Sequence, residues 1–519
     1  MPHRSPHGRG LALVAAGGLF AASLLAGGSA TASPTDGTDA ATASTTTTGT
    51  AQDASTPVPV LTPDGKLMSY VVNAKVANPG QTRLVERAVV AAGGVVVQSW
   101  PQIGVVIAHS DRAAFRADVV RHGGNAVSSV GASRTAAVSE GTPADLSPSW
   151  GKGASGYQKG HSKPANGDLS DAMTSDAAPA TDPREAEQWD MVQIKADQAH
   201  KITDGDRSVV VGVLDSGIDP DHPDLAANID VADSVSCIGA GRPDQSAGAW
   251  YPTTSDHGTH VAGTIGAARN GTGIVGVAPN VRMAAVKVVN DDGFIYPEYA
   301  ICGFVWAGLH KMDVTNNSYY IDPMEYWCDD QPDQAAVRTA VERALSWSTE
   351  QDVVHAAAAG NSAKDLANKT TDSASPNDTT PITRQINNEC KDIPTELPGV
   401  VTVSSTTRTE GLSSFSNRGQ SVIDVAAPGS SILSTIVNNN GYGLKSGTSM
   451  ASPHVAGVLA LMKSAHPDWT PTQMVAKLRA QADDRACPAT SPGGPACTGP
   501  AADNSYYGEG IVDALDAVS

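Results

Sequence analysis

One short stretch indicates the fold of this chain: Val209-Val210-Val211-Gly212-Val213-Leu214-Asp215, a continuous apolar run that ends in a carboxylate. Such a run is typical of a strand that is buried on both faces of a parallel sheet. Further apolar runs lie at residues 283–289, 353–359 and 400–403, and helical patterns lie at 257–267, 297–307, 335–348 and 449–465. This alternation predicts an α/β domain with a doubly wound, mainly parallel sheet flanked by helices, over residues 184–519.

The first 32 residues have the pattern of a secretory signal peptide. Arg4 and Arg9 precede an apolar run at residues 11–26, and the small residues Ala30-Thr31-Ala32 favour cleavage after Ala32. An uncleaved membrane anchor is the alternative, but the run is short for crossing a bilayer. The pattern therefore predicts a secreted, extracellular protein that has no membrane partner once the signal is removed.

Three segments separate this signal from the α/β domain. Residues 33–65 are rich in Thr, Ser, Ala and Asp without hydrophobic periodicity, which predicts a disordered spacer. Residues 66–135 follow the order β-α-β-β-α-β, which predicts a small α+β module of the ferredoxin-like type. Residues 136–183 are rich in Gly, Ser, Ala and Pro, with scattered lysines, which predicts a flexible linker accessible to proteolysis.

Composition and charge restrict the classes of function. Of the 519 residues, 40% are hydrophobic and 17% are charged, which is typical of a globular protein. The formal net charge is −19, and so acidic a surface repels phosphate backbones, so we expect no nucleic-acid partner. Solubility is the simplest explanation of this charge, and cation binding is the alternative.

The chain contains six cysteines: Cys237, Cys302, Cys328, Cys390, Cys487 and Cys497. None of them has the C-x-x-C spacing or the neighbouring His of a zinc site, and an even number in an exported chain predicts disulfides. Cys487 and Cys497 flank a loop rich in Pro and Gly, so we expect them to be bonded to each other. The sequence alone leaves the other pairings open.

Three polar residues have the types and positions that nucleophilic catalysis needs. Asp215 follows a buried strand, which suits a carboxylate that orients an imidazole. His257 opens a helix, where a general base can reach a substrate. Ser449 begins a helix whose free N–H groups can stabilise an oxyanion. Each has a structural alternative when taken singly: a capping or metal-binding Asp, a core His such as His260, and an N-cap Ser.

Together these residues and their neighbours resemble the subtilisin-like serine peptidase family, which has Asp, His and Ser in this order. The matching stretches are Asp215-Ser216-Gly217-Ile218-Asp219, Asp256-His257-Gly258-Thr259-His260 and Gly447-Thr448-Ser449-Met450-Ala451. The resemblance covers residues 184–519 and implies a serine endopeptidase in which Asp215 orients the base His257 and Ser449 is the nucleophile. It also implies that Asn361 and the Ser449 N–H form the oxyanion hole, that no cofactor takes part in the chemistry, and that residues 510–515 form the closing helix.

The segment expected to bind substrate departs from the family pattern. Members usually have Ser-Leu-Gly-Gly where this chain has Ser318 followed by Tyr319 and Tyr320. A Tyr in place of Gly should reshape a side-chain pocket, so we expect a choosier enzyme than the broad, apolar family norm. Gly360 is the fourth expected substrate contact. The loop at residues 362–397 is longer than in compact members, and its Cys390 is predicted to pair with Cys328.

The resemblance also implies two further features. Asp224, Asn270 and Gln188 match positions that supply oxygen ligands to a structural calcium ion in many members, although turn residues that cap backbone groups are an equal alternative. Residues 66–135 resemble the inhibitor-type propeptide that lies upstream of these catalytic domains. It would assist folding and act as an intramolecular inhibitor.

Two other functions stay open at this point. A catalytically silent binding protein on a protease fold is one, because fold does not dictate function. An esterase with the same triad is the other, although the Gly-x-Ser-x-Gly motif of dedicated esterases is not recognised. The favoured prediction is a monomeric endopeptidase whose partners are protein or peptide substrates and its own propeptide.

Overall fold

The structure, a computed structural model, describes residues 53–140, 181–489 and 494–519. The predicted signal peptide (1–32), residues 33–52 of the predicted spacer and residues 141–180 of the predicted linker lie outside these ranges. Within the ranges, no helix is both long enough and apolar enough to cross a membrane.

A module of four strands and two helices begins the described chain. Its elements are β1 (Met68–Ala74), α1 (Pro79–Ala91), β2 (Val95–Trp100), β3 (Val105–Ser110), α2 (Phe115–Gly123) and β4 (Val127–Ala132). The strands pair antiparallel in the order β2-β3-β1-β4, which is the ferredoxin-like arrangement. Tyr70, Val85 and Phe115 belong to the core that joins this sheet to its helices.

The spacer prediction is wrong from residue 53 onward, because these residues are bonded to the large domain. Ser55 N and Ser55 Oγ each lie 2.6 Å from the Asp330 carboxylate. Thr56 N donates to Gln385 O at 2.9 Å, and Val58 is buried. A segment without periodicity is ordered here by partners that lie hundreds of residues away along the chain.

The linker prediction is likewise wrong at its two ends. Ala136 N donates to Asp378 Oδ2 at 2.8 Å, and Val138 N donates to Leu67 O at 2.9 Å. At the other end, Asp182 Oδ1 accepts a hydrogen bond from Gly271 N. Residues 136–140 and 181–183 are therefore bonded to the rest of the molecule.

The large domain is built on an eight-stranded sheet, whose order is β16-β15-β11-β9-β5-β8-β6-β7. The strands of this domain are β5 (Val210–Asp215), β6 (Val235–Gly239), β7 (Arg242–Asp244), β8 (Arg282–Lys287), β9 (Val314–Asn317), β10 (Trp327–Cys328), β11 (Val354–Ala358), β12 (Thr371–Asp372), β13 (Arg384–Gln385), β14 (Cys390–Lys391), β15 (Val400–Thr406), β16 (Val425–Pro428), β17 (Ile432–Ile436) and β18 (Gly441–Lys445). Every neighbouring pair in the eight-stranded sheet is parallel except β6 and β7. The predicted α/β class is confirmed.

Helices cover both faces of this sheet. They are α3 (Trp189–Gln193), α4 (Ala196–Ala199), α5 (His257–Gly266), α6 (Pro297–Leu309), α7 (Pro332–Glu350), α8 (Thr448–Ala465) and α9 (Pro471–Gln481). On β5, Val211 and Val213 pack into the core that contains α5 and α8, whereas Val210 and Leu214 pack into the core that contains α6 and α7. This alternation explains why the strand is apolar throughout, since both of its faces are covered.

Three disulfides connect the described part of the chain: Cys237–Cys302, Cys328–Cys390 and Cys487–Cys497. The two predicted pairs, Cys487–Cys497 and Cys328–Cys390, are confirmed. The second pair joins β10 to β14, which also pair as strands, so it fixes part of the long loop at residues 362–397.

The predicted closing helix at residues 510–515 is wrong. Ile511 forms backbone bridges with Ala426 and Asp483, and Val512 N donates to Ala426 O at 3.0 Å. Gly510 has φ of +142°, which is outside the helical region. A short 3₁₀ helix follows at Asp516–Val518.

Candidate active site

Asp215 and His257 form a bonded pair at the carboxyl end of the central strand. Asp215 is the last residue of β5 and is 1% exposed. His257 is the first residue of α5, and its Nδ1 lies 2.9 Å from both Asp215 carboxylate oxygens. Gly258 permits this approach, because a Cβ there would collide with Gly217 O. The opposite edge of the ring faces solvent, since 31% of the His257 side chain is exposed.

The electrostatics of the pair suit a general base. Burial lowers the pKa of His257, but the Asp215 carboxylate and its hydrogen bond outweigh that effect, so the pKa is raised above its ordinary value. His260, the other His of the motif, is buried, and its Nε2 lies 3.1 Å from Ile432 O and Gly443 O. Burial lowers the pKa of His260 to about 3, so this side chain is a neutral structural residue.

Ser449 lies in the first turn of α8, and this helix packs against α5. Its Oγ donates to Ser318 O at 3.3 Å, and Ser318 Oγ donates to Ser449 O at 3.0 Å. Among the described residues, no hydrogen bond joins Ser449 Oγ to His257 Nε2. The structure thus unites Asp215 with His257 and places Ser449 against the predicted substrate segment.

Asn361 is oriented by the residue before Ser449. Its Oδ1 accepts hydrogen bonds from Thr448 N at 2.8 Å and from Thr448 Oγ1 at 3.0 Å. The amide nitrogen is therefore free to donate elsewhere. A Cβ at Gly447 would lie 3.6 Å from both Asn361 Nδ2 and Ser449 N, so the two donors border the same small space. This is the arrangement that an oxyanion hole requires.

The predicted substrate segment continues from β9. Ser318 and Tyr319 are buried, and Tyr319 Oη donates to Asn317 Oδ1 at 3.0 Å, so Tyr319 is a core side chain. Tyr320 is half-buried, and its Oη accepts a hydrogen bond from Asn377 Nδ2 at 2.9 Å. Of the two tyrosines expected to reshape a pocket, Tyr320 alone projects toward the neighbouring loop.

Gly360 forms the facing wall. Its φ is +97°, and a Cβ there would collide with Asn417 Nδ2 and lie 3.5 Å from Asp392 Oδ2. Asn417 Nδ2 in turn donates to Ala359 O at 2.8 Å, and Asn417 Oδ1 accepts from Ser362 N at 3.1 Å. The strand end is therefore held in shape by Asn417, and only Gly fits at position 360.

Sequence and structure comparisons agree with this geometry. The profile of Peptidase_S8, the subtilase family, matches residues 206–510. The chain belongs to the subtilase family. Subtilisin E of Bacillus subtilis (strain 168) is 36% identical over 290 residues, which cover 56% of this chain and 64% of that protein. Subtilisin of Bacillus pumilus is also 36% identical over 290 residues, which cover 56% of this chain and 89% of the relative.

A solved structure shows the same fold. EpiP, the epidermin leader peptide processing serine protease of Staphylococcus aureus, superposes with a TM-score of 0.60 at 20% identity. The alignment covers 87% of this subtilase and 98% of EpiP.

The residues predicted to bind calcium in this subtilase lie near one another, and their side-chain oxygens accept hydrogen bonds from the protein. Asp224 Oδ2 accepts from Ile274 N at 3.0 Å and from Tyr442 Oη at 2.8 Å. Gln188 Oε1 accepts from Val275 N at 2.9 Å, and Asn270 Oδ1 accepts from Thr272 N, also at 2.9 Å. An oxygen that accepts one hydrogen bond keeps a second lone pair that an ion could meet. Calcium binding stays a prediction that chelation can test.

Sequence reasoning missed three residues that build this site. Thr448 lies inside the quoted serine motif, so its hydroxyl was a signal that could have been used. Asn417 and Asp392 lie in irregular segments between strands, where no periodicity predicts the direction of a side chain.

Proposed function

We propose that this subtilase is a secreted serine endopeptidase, made as a self-processed precursor, that hydrolyses peptide bonds in proteins through an acyl-enzyme. One arrangement supports this proposal most. Asp215 and His257 form a pair at 2.9 Å, and Ser449 lies at the start of a helix whose first turn borders the Asn361 amide. These groups are a nucleophile, an oriented base and two oxyanion donors, which are what acyl transfer needs.

The proposed reaction begins with the Ser449 hydroxyl. Rotation about its Cα–Cβ bond moves Oγ from Ser318 O toward His257 Nε2, which takes the proton as Oγ bonds to the substrate carbonyl carbon. Asn361 Nδ2 and Ser449 N then donate to the tetrahedral oxyanion.

The second half of the reaction releases the products. His257 gives its proton to the leaving amine, and the C–N bond breaks to leave an ester on Ser449. A water molecule then loses a proton to His257 and attacks the ester carbon. The bond between that carbon and Ser449 Oγ breaks, His257 returns the proton to Oγ, and the acid product leaves. Asp215 stays ionised throughout and stabilises the imidazolium.

Contacts between the module and α7 support the proposed role as inhibitor. Arg116 Nε lies 2.8 Å from Asp333 Oδ1, and Ala132 N donates to the same oxygen at 2.8 Å. Asn73 Nδ2 donates to Ala336 O at 2.8 Å, and a Cβ at Gly131 would lie 2.9 Å from the Ala336 Cβ. The sheet of the module therefore lies close against the start of this helix.

The tail of the module is bound next to the predicted substrate segment. Thr135 N and Ala136 N each donate to Asp378 Oδ2 at 2.8 Å. Asp378 follows Asn377, which bonds to Tyr320 Oη. We propose that this attachment holds the module beside the cleft, and that cleavage within residues 141–180 releases the module.

Arg134 anchors the same tail. Its guanidinium is buried, bonds to Glu298 and Glu140, and lies 3.7 Å from the centre of the Tyr296 ring. A buried cation held by two carboxylates and an aromatic face is costly to expose alone, so this contact should resist dissociation.

The test is to express the full precursor and its Ser449→Ala variant identically and to record intact masses of the secreted products. We expect only the wild type to lose the module, and only the wild type to hydrolyse a casein substrate. Trimming of both proteins would show that another protease matures the chain. Two whole and inactive products would contradict the proposed function.

A further inference from the structure

One segment of the long loop bridges the two strand ends that flank the catalytic groups. Ile393 O accepts from Ile321 N at 2.9 Å, and Thr395 Oγ1 donates to Ala358 O at 2.7 Å. The segment thus bonds to both strand ends, the one that continues from Ser318 and the one that ends at Gly360. The space that these three pieces of chain border is called the pocket below. The Cys328–Cys390 disulfide fixes where this segment begins.

Asp392 lies in this segment and has no partner for its carboxylate. It is 2% exposed, and Oδ1 is enclosed without a hydrogen bond. Oδ2 lies 3.5 Å from the position that a Gly360 Cβ would take, which places the carboxylate against the pocket wall. No hydrogen bond or ion pair from the described residues reaches either oxygen. An unpaired buried carboxylate is unfavourable unless a ligand supplies its partner.

Two neighbouring carboxylates also lack a cation. Glu325 Oε1 accepts a hydrogen bond at 2.6 Å from the hydroxyl of Ser362, the residue that follows Asn361. Asp322 Oδ2 accepts a hydrogen bond from Ile295 N, also at 2.6 Å. Neither forms an ion pair with any described Lys or Arg. Asn377 Nδ2 donates to both Tyr320 Oη and Asp322 Oδ1. Burial first, and then the charges of Asp322, Glu325 and Asp392, raise the pKa of Tyr320.

Other acidic residues nearby are already neutralised. Lys369 Nζ lies 2.6 Å from Glu396 Oε1, and Arg384 Nη2 lies 2.7 Å from Asp372 Oδ2, with all four side chains buried. Among the described buried acidic residues of this region, those without a cationic partner are therefore Asp322, Glu325 and Asp392. Burial, followed by the charges of Glu396 and Glu325, raises the pKa of Asp392 well above its ordinary value.

Geometry decides which part of a substrate meets this charge. A carbonyl carbon attacked by Ser449 lies beside Asn361 and Ser318. The Cα bonded to that carbon carries the side chain of the residue ahead of the cut. The walls at Tyr320 and Gly360 adjoin these same residues. We therefore expect that side chain to enter the pocket, which Asp392 borders beside Gly360.

We propose that this subtilase cuts after Lys or Arg, because Asp392, which borders the pocket, receives the cationic end of that side chain. Glu325 and Asp322 add to the negative potential around it. The inference rests on the proposed peptidase function and names the substrate class. Guanidinium and ammonium are the side-chain groups that can both donate hydrogen bonds to a carboxylate and neutralise it.

The test compares secreted mature enzyme with Asp392→Asn, on Ala-Ala-Pro-X p-nitroanilides where X is Lys, Arg, Leu or Phe. We expect the wild type to prefer Lys and Arg, and Asp392→Asn to lower kcat/KM for these two by about 100- to 1000-fold. Hydrolysis of the Leu substrate should change by less than about threefold. Glu389→Gln is the matched control, because it removes the same charge from an exposed residue of the same loop.

A fluorophosphonate that labels Ser449 measures the active fraction of each protein, so a misfolded variant is recognised. Inhibition of Leu-substrate hydrolysis by n-butylguanidinium tests the pocket in the wild type, without any variant. We expect clear inhibition, because the guanidinium group should bind Asp392. If the wild type is labelled at Ser449 and hydrolyses the Leu or Phe substrate but scarcely the Lys or Arg substrate, this inference is wrong and the proposed function still stands. Absence of labelling and of all hydrolysis would remove the proposed function itself.

Discussion

Asp215 and Asp392 are both carboxylates in the interior of the large domain, but they differ in their bonding. Asp215 lies within 2.9 Å of His257 Nδ1 through both oxygens, and it also accepts from Ser216 N at 2.7 Å. The Asp392 carboxylate accepts no hydrogen bond from the described residues. A carboxylate whose partners belong to its own chain has a fixed role in every turnover. One without partners is completed by a ligand, so its contribution depends on the substrate.

Removing the charge of Asp215 should therefore affect every substrate alike, which is the largest effect that we expect. Asp215→Asn keeps the shape but reverses the hydrogen bond that holds His257 in the tautomer with Nε2 free to accept. We expect kcat to fall by about 10⁴-fold on Lys and Leu substrates equally. Steady-state kinetics on both substrates, normalised by active-site labelling, measures this.

Asp392→Asn provides the contrast in the same assay, since it should separate the two substrates. If Asp215→Asn spared the Leu substrate, the catalytic pair would be assigned incorrectly. If Asp392→Asn slowed both substrates equally, the two carboxylates would not differ in the way described.

The same two residues show what the sequence could reveal. Asp215, His257 and Ser449 stand at the ends of regular elements, whose apolar patterns fix where a strand stops and a helix starts. Asn361 also lies close after a buried strand, three residues beyond the end of β11. Their positions were therefore predictable from local pattern, together with the resemblance of their neighbours to a known family.

Asp392 was not predictable, because its position depends on distant partners. Its segment is set by the disulfide between Cys328 and Cys390 and by the bond of Ile393 O to Ile321 N. The pairing of Cys390 with Cys328 was one option that the sequence left open, and the direction of a side chain in the loop could not be read from it. The failure of the spacer prediction has the same cause, since Ser55 is ordered by Asp330, 275 residues away.

The difference between the two carboxylates also predicts where the precursor cuts itself. Between residues 141 and 180 the cationic side chains are those of Lys152, Lys159 and Lys163. Pro164 restricts the backbone of Lys163, so we expect cuts after Lys152 or Lys159. Lys152→Ala combined with Lys159→Ala should slow maturation by about 100-fold, the loss expected when a buried charge pair cannot form.

Intact-mass measurement over time gives both the cleavage site and the rate. Lys163→Ala is the control and should mature at the wild-type rate. Cuts at uncharged residues, with a rate unaffected by the double substitution, would contradict a cationic preference in the precursor.

A smaller effect concerns pH and depends on the bonding of Asp215. Because Asp215 raises the pKa of His257 above its ordinary value of about 6.5, the base becomes protonated and inactive as the pH falls through that raised pKa. Below it, kcat/KM for the Leu substrate should fall by about tenfold per pH unit. Lys445 and Asp256 also act on His257, in opposite directions.

Lys445→Met sharpens this test. It removes a positive charge that lowers the pKa of His257, so the acid limb of the pH profile should move to higher pH. Wild-type activity that stays constant well below pH 6.5 would contradict the bonded pair as the source of the shift.

The smallest effect is expected at Asp224. In its bonding, Asp224 resembles Asp215 more closely than it resembles Asp392, because its partners belong to its own chain. Its oxygens already accept from Ile274 N, Tyr442 Oη and Asn270 Nδ2. A structural ion at high saturation would contribute several kcal/mol and its removal would lower Tm by several degrees. We instead expect EDTA to change Tm of the mature enzyme by less than about 1 °C. Tyr442→Phe should lower Tm by about 2–4 °C with or without EDTA, because it removes one hydrogen bond to a carboxylate. A large loss of Tm in EDTA would show that these oxygens turn toward a cation, and Asp224 would then be a carboxylate completed by its ligand, like Asp392.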